Sequence, residues 1–121
     1  MKLLQLQKKY PNAYYNFIAY FRKRQPRSMC QEVYEMMDRV KDYCVRGWWK
    51  EITDFMDKQG VIIAMGVTTY TNSFRYVIWR QIKKNNGLVN GYVSDDFKFR
   101  KQAETKAIEK AFQILEGRTT K

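Results

Sequence analysis

Few residues in this 121-residue chain have types and spacings from which a reaction could be built. Asp95-Asp96 is the one adjacent pair of acids, Cys30 and Cys44 are the two cysteines, and there is no histidine. Without an imidazole, the usual serine or cysteine triad and a histidine acid–base pair are both missing, and no glycine-rich phosphate loop replaces them. The two aspartates alone bring too few oxygens to hold a metal, and adjacent acids at a strand end serve as readily to cap a turn. The cysteines stand 14 positions apart with no CxxC, so they read as buried free thiols. The expectation is a protein that is not an enzyme and needs no cofactor or metal.

Cations are the other group with chemistry to offer. The net charge is +11, and it is unevenly spread. Residues 1–27 carry seven Lys/Arg and no acid, 28–60 come to −2, 61–93 carry four basic residues and no acid, and 94–121 come to +2. An excess confined to the N-terminal arm and the strand region points to a polyanionic partner, although basic charge also serves solubility alone. The candidate nucleic-acid-binding residues are Arg22, Lys23, Arg24 and Arg27 in the run RKRQPR, with Arg75, Trp79, Lys83 and Lys84 farther on. The cations would neutralise phosphates and the Trp79 ring would stack on a base. A core or dimer contact is the competing role for Trp79, and the choice turns on which face of its strand the helices cover.

The elements that must position these residues follow from periodicity. Pro11 suits a first helical position, and Ala13, Tyr14, Phe17, Ile18 and Phe21 share one face of a helix over Pro11–Lys23. Ser28 and Gln31 form a capping-box pair ahead of a helix with Val33, Met36, Met37, Val40 and Cys44 on one face. That stripe resumes one position later at Val45, Trp48, Trp49, Ile52, Phe55 and Met56, so a break is expected near Gly47, and Gly60 ends the helix. Val61–Thr71 is β-branched and bounded by Asn72 and Ser73. In the next strand Phe74, Tyr76, Ile78 and Ile82 alternate with Arg75, Val77, Trp79, Gln81 and Lys83. Asn85-Asn86-Gly87 supplies a hairpin turn before Leu88–Val93. From Arg100 to Glu116, the residues Ala103, Ala107, Ile108, Ala111, Phe112, Ile114 and Leu115 form the stripe of a helix lying on a sheet, with Lys106 and Lys110 on its solvent side.

The fold class is therefore α+β: N-terminal helices, a three-stranded antiparallel meander and a C-terminal helix packed on the sheet, in the order α-α-β-β-β-α. One domain is expected over 1–121, divided into a basic N-terminal helix and connector (1–27), a helical region (28–60), the meander (61–95) and the closing helix (97–116). Apolar runs are too short to cross a bilayer and Met1–Lys9 lacks the apolar middle of a signal peptide, so a cytoplasmic location is expected, with no membrane partner.

Helix, three strands and helix is also the order of a double-stranded RNA-binding domain. Here Glu104 falls where a second phosphate-binding lysine would be wanted, and the glycine-rich loop and histidine of the minor-groove contact are missing. A closer likeness covers nearly the whole chain. LQKKYPNAYYNFIAYF (Leu6–Phe21), DFMDKQGVII (Asp54–Ile63) and FKFRKQAETKAIEKAFQILEGR (Phe97–Arg118) resemble a family of small uncharacterised proteins of Bacteroidetes phages and related mobile elements. Its members open on LQxKYPxA and close on a motif of the form FKxRxEAExxAxxKAFxxLE. This chain departs at Phe99, where the family favours a small hydroxyl residue able to cap the helix, and at Gln102, where it favours glutamate. The resemblance implies a phage accessory protein and assigns no activity.

Two classes of partner follow. The first is nucleic acid, held by the cations and Trp79. The second is a host or anti-phage defence protein, such as a CRISPR nuclease or a restriction system, which the chain would inhibit. Its aromatic anchors would come from Tyr14, Tyr15, Tyr20, Trp48 and Trp49, unless helical spacing commits them to the core.

Overall fold

The computed structural model describes residues 2–23, 45–68, 72–82 and 87–119. They form α1 (Leu3–Lys9), α2 (Pro11–Lys23), a 3₁₀ turn at Val45–Trp48, α3 (Trp49–Lys58), β1 (Val61–Thr68), β2 (Ser73–Ile82), β3 (Gly87–Val93) and α4 (Arg100–Thr119). The sheet is antiparallel with strands in the order β1-β2-β3. The architecture is the expected α+β meander with helices before and after it, plus one short helix at the start.

Local chemistry explains most of the boundaries. Pro11 opens α2, and Gly47 sits in the 3₁₀ turn that leads into α3. Gly60 ends the next helix with φ of 75° and donates its N–H to the Asp57 carbonyl at 3.1 Å. Asn72 takes φ of 49° in the turn before β2, where asparagine is among the residues that tolerate the left-handed region. The capping-box pair Ser28 and Gln31, the stripe Val33–Cys44, both cysteines and the turn at Asn85-Asn86 lie outside the described residues.

The helices pack against one another and against one face of the sheet. On α4, Ala103, Ala107, Ile108, Ala111, Phe112 and Leu115 are buried, and the helix lies against β2 and β1. The alanines let its axis approach the strands, while Phe112 carries the core toward α2: its ring meets Phe17 at 6.1 Å, and Phe17 meets Phe55 of α3 at 5.5 Å. The segment 2–9 is no free arm, because Leu3 and Leu6 of α1 are fully buried in the same core. A stripe of two leucines in seven residues gave too weak a period to announce a helix.

The last two turns of α4 supply two tertiary caps. The Glu116 carboxylate accepts from the N–H groups of Asn12 at 3.3 Å and Ala13 at 2.8 Å, and from the Asn12 amide nitrogen at 3.0 Å. It supplies the acceptor that α2 lacks locally, at the end of the helix where negative charge is favoured. Arg118 Nη1 donates to the Gln59 carbonyl at 3.0 Å, at the far end of α3.

The closing helix starts at Arg100 rather than at Phe97. Phe97 continues along β2 beyond β3 and exchanges both backbone hydrogen bonds with Phe74, at 2.7 and 2.6 Å. Phe99 occupies the position before α4 with no side-chain acceptor, and its carbonyl receives the N–H groups of Gln102 and Ala103. Lys110 also departs from the expected solvent face, since its Nζ sits 4.4 Å from the centre of the Tyr92 ring.

Replacing Glu116 by Ala strips the cap from α2 and should lower stability by about 1–2 kcal/mol, read as a drop in the urea midpoint at unchanged slope. Leu115→Ala, which opens a cavity under α4, should cost about 2–5 kcal/mol in the same assay.

Candidate nucleic-acid interface

Strand register decides which side of the sheet each candidate occupies. Ile63 faces Ile78 and Met65 faces Tyr76, and these side chains join the core beneath α4. The alternate positions point the other way: Ile62 stands opposite Trp79, Ala64 opposite Val77, and Gly66 opposite Arg75. Ile62, Val77 and Trp79 remain outside the buried cluster and are each half-buried. Arg75 and Trp79, four residues apart on β2, thus share the face turned away from α4, about 13 Å apart along the strand.

A bulge shapes the Trp79 neighbourhood. Ile78 pairs with Tyr92 and Trp79 with Asn90, which leaves Gly91 as the extra residue on β3. A Cβ at Gly91 would lie 3.0–3.3 Å from Nε, Cγ and Cδ of Arg80, so the Arg80 side chain crosses directly over this glycine. The bulge brings the backbone of Asn90 into register with Trp79.

Arg75 is held by its surroundings. Its Nε donates to Thr68 Oγ1 at 3.1 Å and lies 3.5 Å from Asp96 Oδ1. Asp96 is thereby the counter-ion of Arg75, and the Asp95-Asp96 pair is divided between this contact and a strand end where the Ser94 hydroxyl donates to the Asp95 carbonyl at 2.8 Å. Both partners of the ion pair are partly exposed, so solvent and salt weaken it and a competing phosphate can displace it.

The other predicted cations are placed differently. Arg22 is half-buried and Lys23 exposed in the last turn of α2, where positive charge complements the helix dipole. Helix α2 packs on α1, α3 and α4, so these two residues belong to the helical side and are not brought together with Arg75 and Trp79. Arg24, Arg27, Lys83 and Lys84 lie outside the described residues. Of the five aromatic anchors considered for a protein target, Tyr14 is buried, Tyr20, Trp48 and Trp49 pack against the core, and Tyr15 is 71% exposed. No helix among the described residues is long and apolar enough to cross a membrane.

On the covered face, three rings form a ladder across the strands. Tyr92 stacks on Tyr76 at 5.8 Å and Tyr76 on Phe97 at 6.1 Å, with ring planes 27° and 18° apart. Burial, with Tyr92 beside it, pushes the Tyr76 phenol well above its ordinary 10.0. Burial followed by the nearby Glu109 carboxylate raises Tyr10 in the same direction.

A phenol whose pKa is higher folded than unfolded contributes stability that is complete below the unfolded value and is lost as pH rises beyond it. Stability should therefore be level up to about pH 10 and fall above it, and Tyr76→Phe should flatten that fall, as measured by urea midpoints across an alkaline series. In comparisons with known proteins, the chain matches no family model, no curated protein and no solved structure.

Proposed function

We propose that this protein is a non-enzymatic accessory module of the phage type it resembles, and that it binds nucleic acid across the face of its sheet turned away from α4. The observation that carries the reading is the pairing of charge with placement. The stretch 61–93 has four cations and no acid in its sequence, and among its described residues Trp79 and Arg75 lie together on the face away from α4. A cation and an aromatic ring on one sheet face can hold a strand without base-specific hydrogen bonds: the cation takes a phosphate and the ring takes a base. Thr68 and Gln81 on the same face add polar groups at its two ends. The role of Asp96 is to keep Arg75 oriented until a phosphate replaces it.

The test is a titration of the full chain against random single-stranded DNA, duplex DNA and RNA over a range of salt concentrations. Binding should weaken steeply as salt rises. Trp79→Ala should remove about 1–3 kcal/mol of affinity for single strands. Asp96→Asn, which frees Arg75, should strengthen binding at low salt and steepen the salt dependence. An absence of binding to all three at low salt would falsify the proposal.

A further inference from the structure

Between Phe97 and the first two turns of α4 lies a shallow, open cleft of about 460 Å³, lined by Phe97, Lys101, Gln102, Thr105 and Lys106. That volume lies in the roughly 300–1,000 Å³ range of small-molecule sites. We propose that the cleft is a nucleotide pocket, in which an aromatic base packs against Phe97 and the adjoining phosphate is held by Lys101 and Lys106. For the class of partner this rests on the nucleic-acid reading above, but it concerns a separate surface.

Three observations support the assignment. Phe97 is the last ring of the ladder Tyr92–Tyr76–Phe97, and it borders the cleft, so a base entering there extends an existing stack by one member. The lining residues fall into two pairs one turn apart, Lys101 with Thr105 and Gln102 with Lys106, which places all four on one side of α4 beside the buried stripe. The polar atoms of three of the four are also uncommitted. Among the described residues Lys101 makes no ion pair, and Gln102 and Thr105 make no side-chain hydrogen bond. Lys106 Nζ is 3.9 Å from Glu109 Oε2, while the other oxygen of that carboxylate is 3.6 Å from Lys9, so one acid is shared between two lysines. The balance beside the cleft is positive, and the donors suit a phosphate flanked by a planar apolar group. A free nucleotide and a nucleotide within a strand present that same chemistry.

Backbone-amide NMR of the full chain, titrated with AMP, with inorganic phosphate and with a short single-stranded oligonucleotide, tests the proposal. AMP should shift the amides of residues 101–106 and bind more tightly than phosphate. The double variant Lys101→Gln/Lys106→Gln, which changes two exposed side chains and spares the core, should weaken AMP roughly tenfold or more. Phe97→Leu should bring AMP down to the level of phosphate. Displacement of AMP by the oligonucleotide identifies a strand as the source of the nucleotide, and independent binding of the two identifies a free nucleotide. The proposal is overturned if AMP leaves these amides unmoved, if AMP and phosphate bind equally, or if the double variant binds AMP as tightly as the unaltered chain. Oligonucleotide binding that depends on Trp79 while the cleft stays silent would sink this inference and leave the sheet-face reading intact. AMP binding in the cleft with no oligonucleotide bound anywhere would do the reverse.

Discussion

Burial of α4 against one face of a three-stranded sheet is the constraint from which the other features follow. The close approach requires small side chains, which Ala103, Ala107 and Ala111 provide, and large ones to fill the remaining space, which Ile108, Phe112 and Leu115 provide. Because strand side chains alternate, committing Ile63, Met65, Tyr76 and Ile78 to that helix sends Ile62, Val77 and Trp79 to the opposite side. One helix therefore fixes both the core and the surface to which a function is assigned.

The N-terminal helices serve the same arrangement from the outside. Helix α2 reaches the core through Phe17, which touches rings from both α3 and α4, and its free N–H groups are satisfied by Glu116 near the end of the chain. The carboxylate and the amides it caps are 103 to 104 positions apart in sequence, so α2 is properly terminated only once the whole domain has closed. Leu3 and Leu6 then pack into the same core. The basic stretch at the start of the chain is consequently a structural member of the fold, and Arg22 and Lys23 are carried by the helical layer rather than by the sheet.

What was legible in the sequence was whatever local geometry dictates. Pro11 marked the start of α2, Gly60 the end of α3, and the alternation along β2 separated Tyr76 and Ile78 from Arg75 and Trp79. The alanine-rich stripe identified α4 and its buried face. Contacts between distant residues left no such trace. Nothing in the order of residues ties Asp96 to Arg75 or Glu116 to Ala13, since both depend on the folded path of the chain. Phe97 was assigned to the closing helix because the irregular turn at Ser94, which returns the chain to β2, has no period to read. The cleft beside α4 was hidden for a related reason: Lys101 and Lys106 look like ordinary solvated positions until Phe97 is placed beside them.

The central claim is that Trp79 stands on an accessible face ready to take a base. Its most direct test is tryptophan fluorescence in a variant with Trp48 and Trp49 replaced by Phe, which leaves Trp79 as the sole emitter. A neutral collisional quencher should reach the ring readily, and a bound single strand should both quench and shield it. A ring sealed from the quencher, or one whose emission ignores a strand shown by other means to be bound, would contradict it.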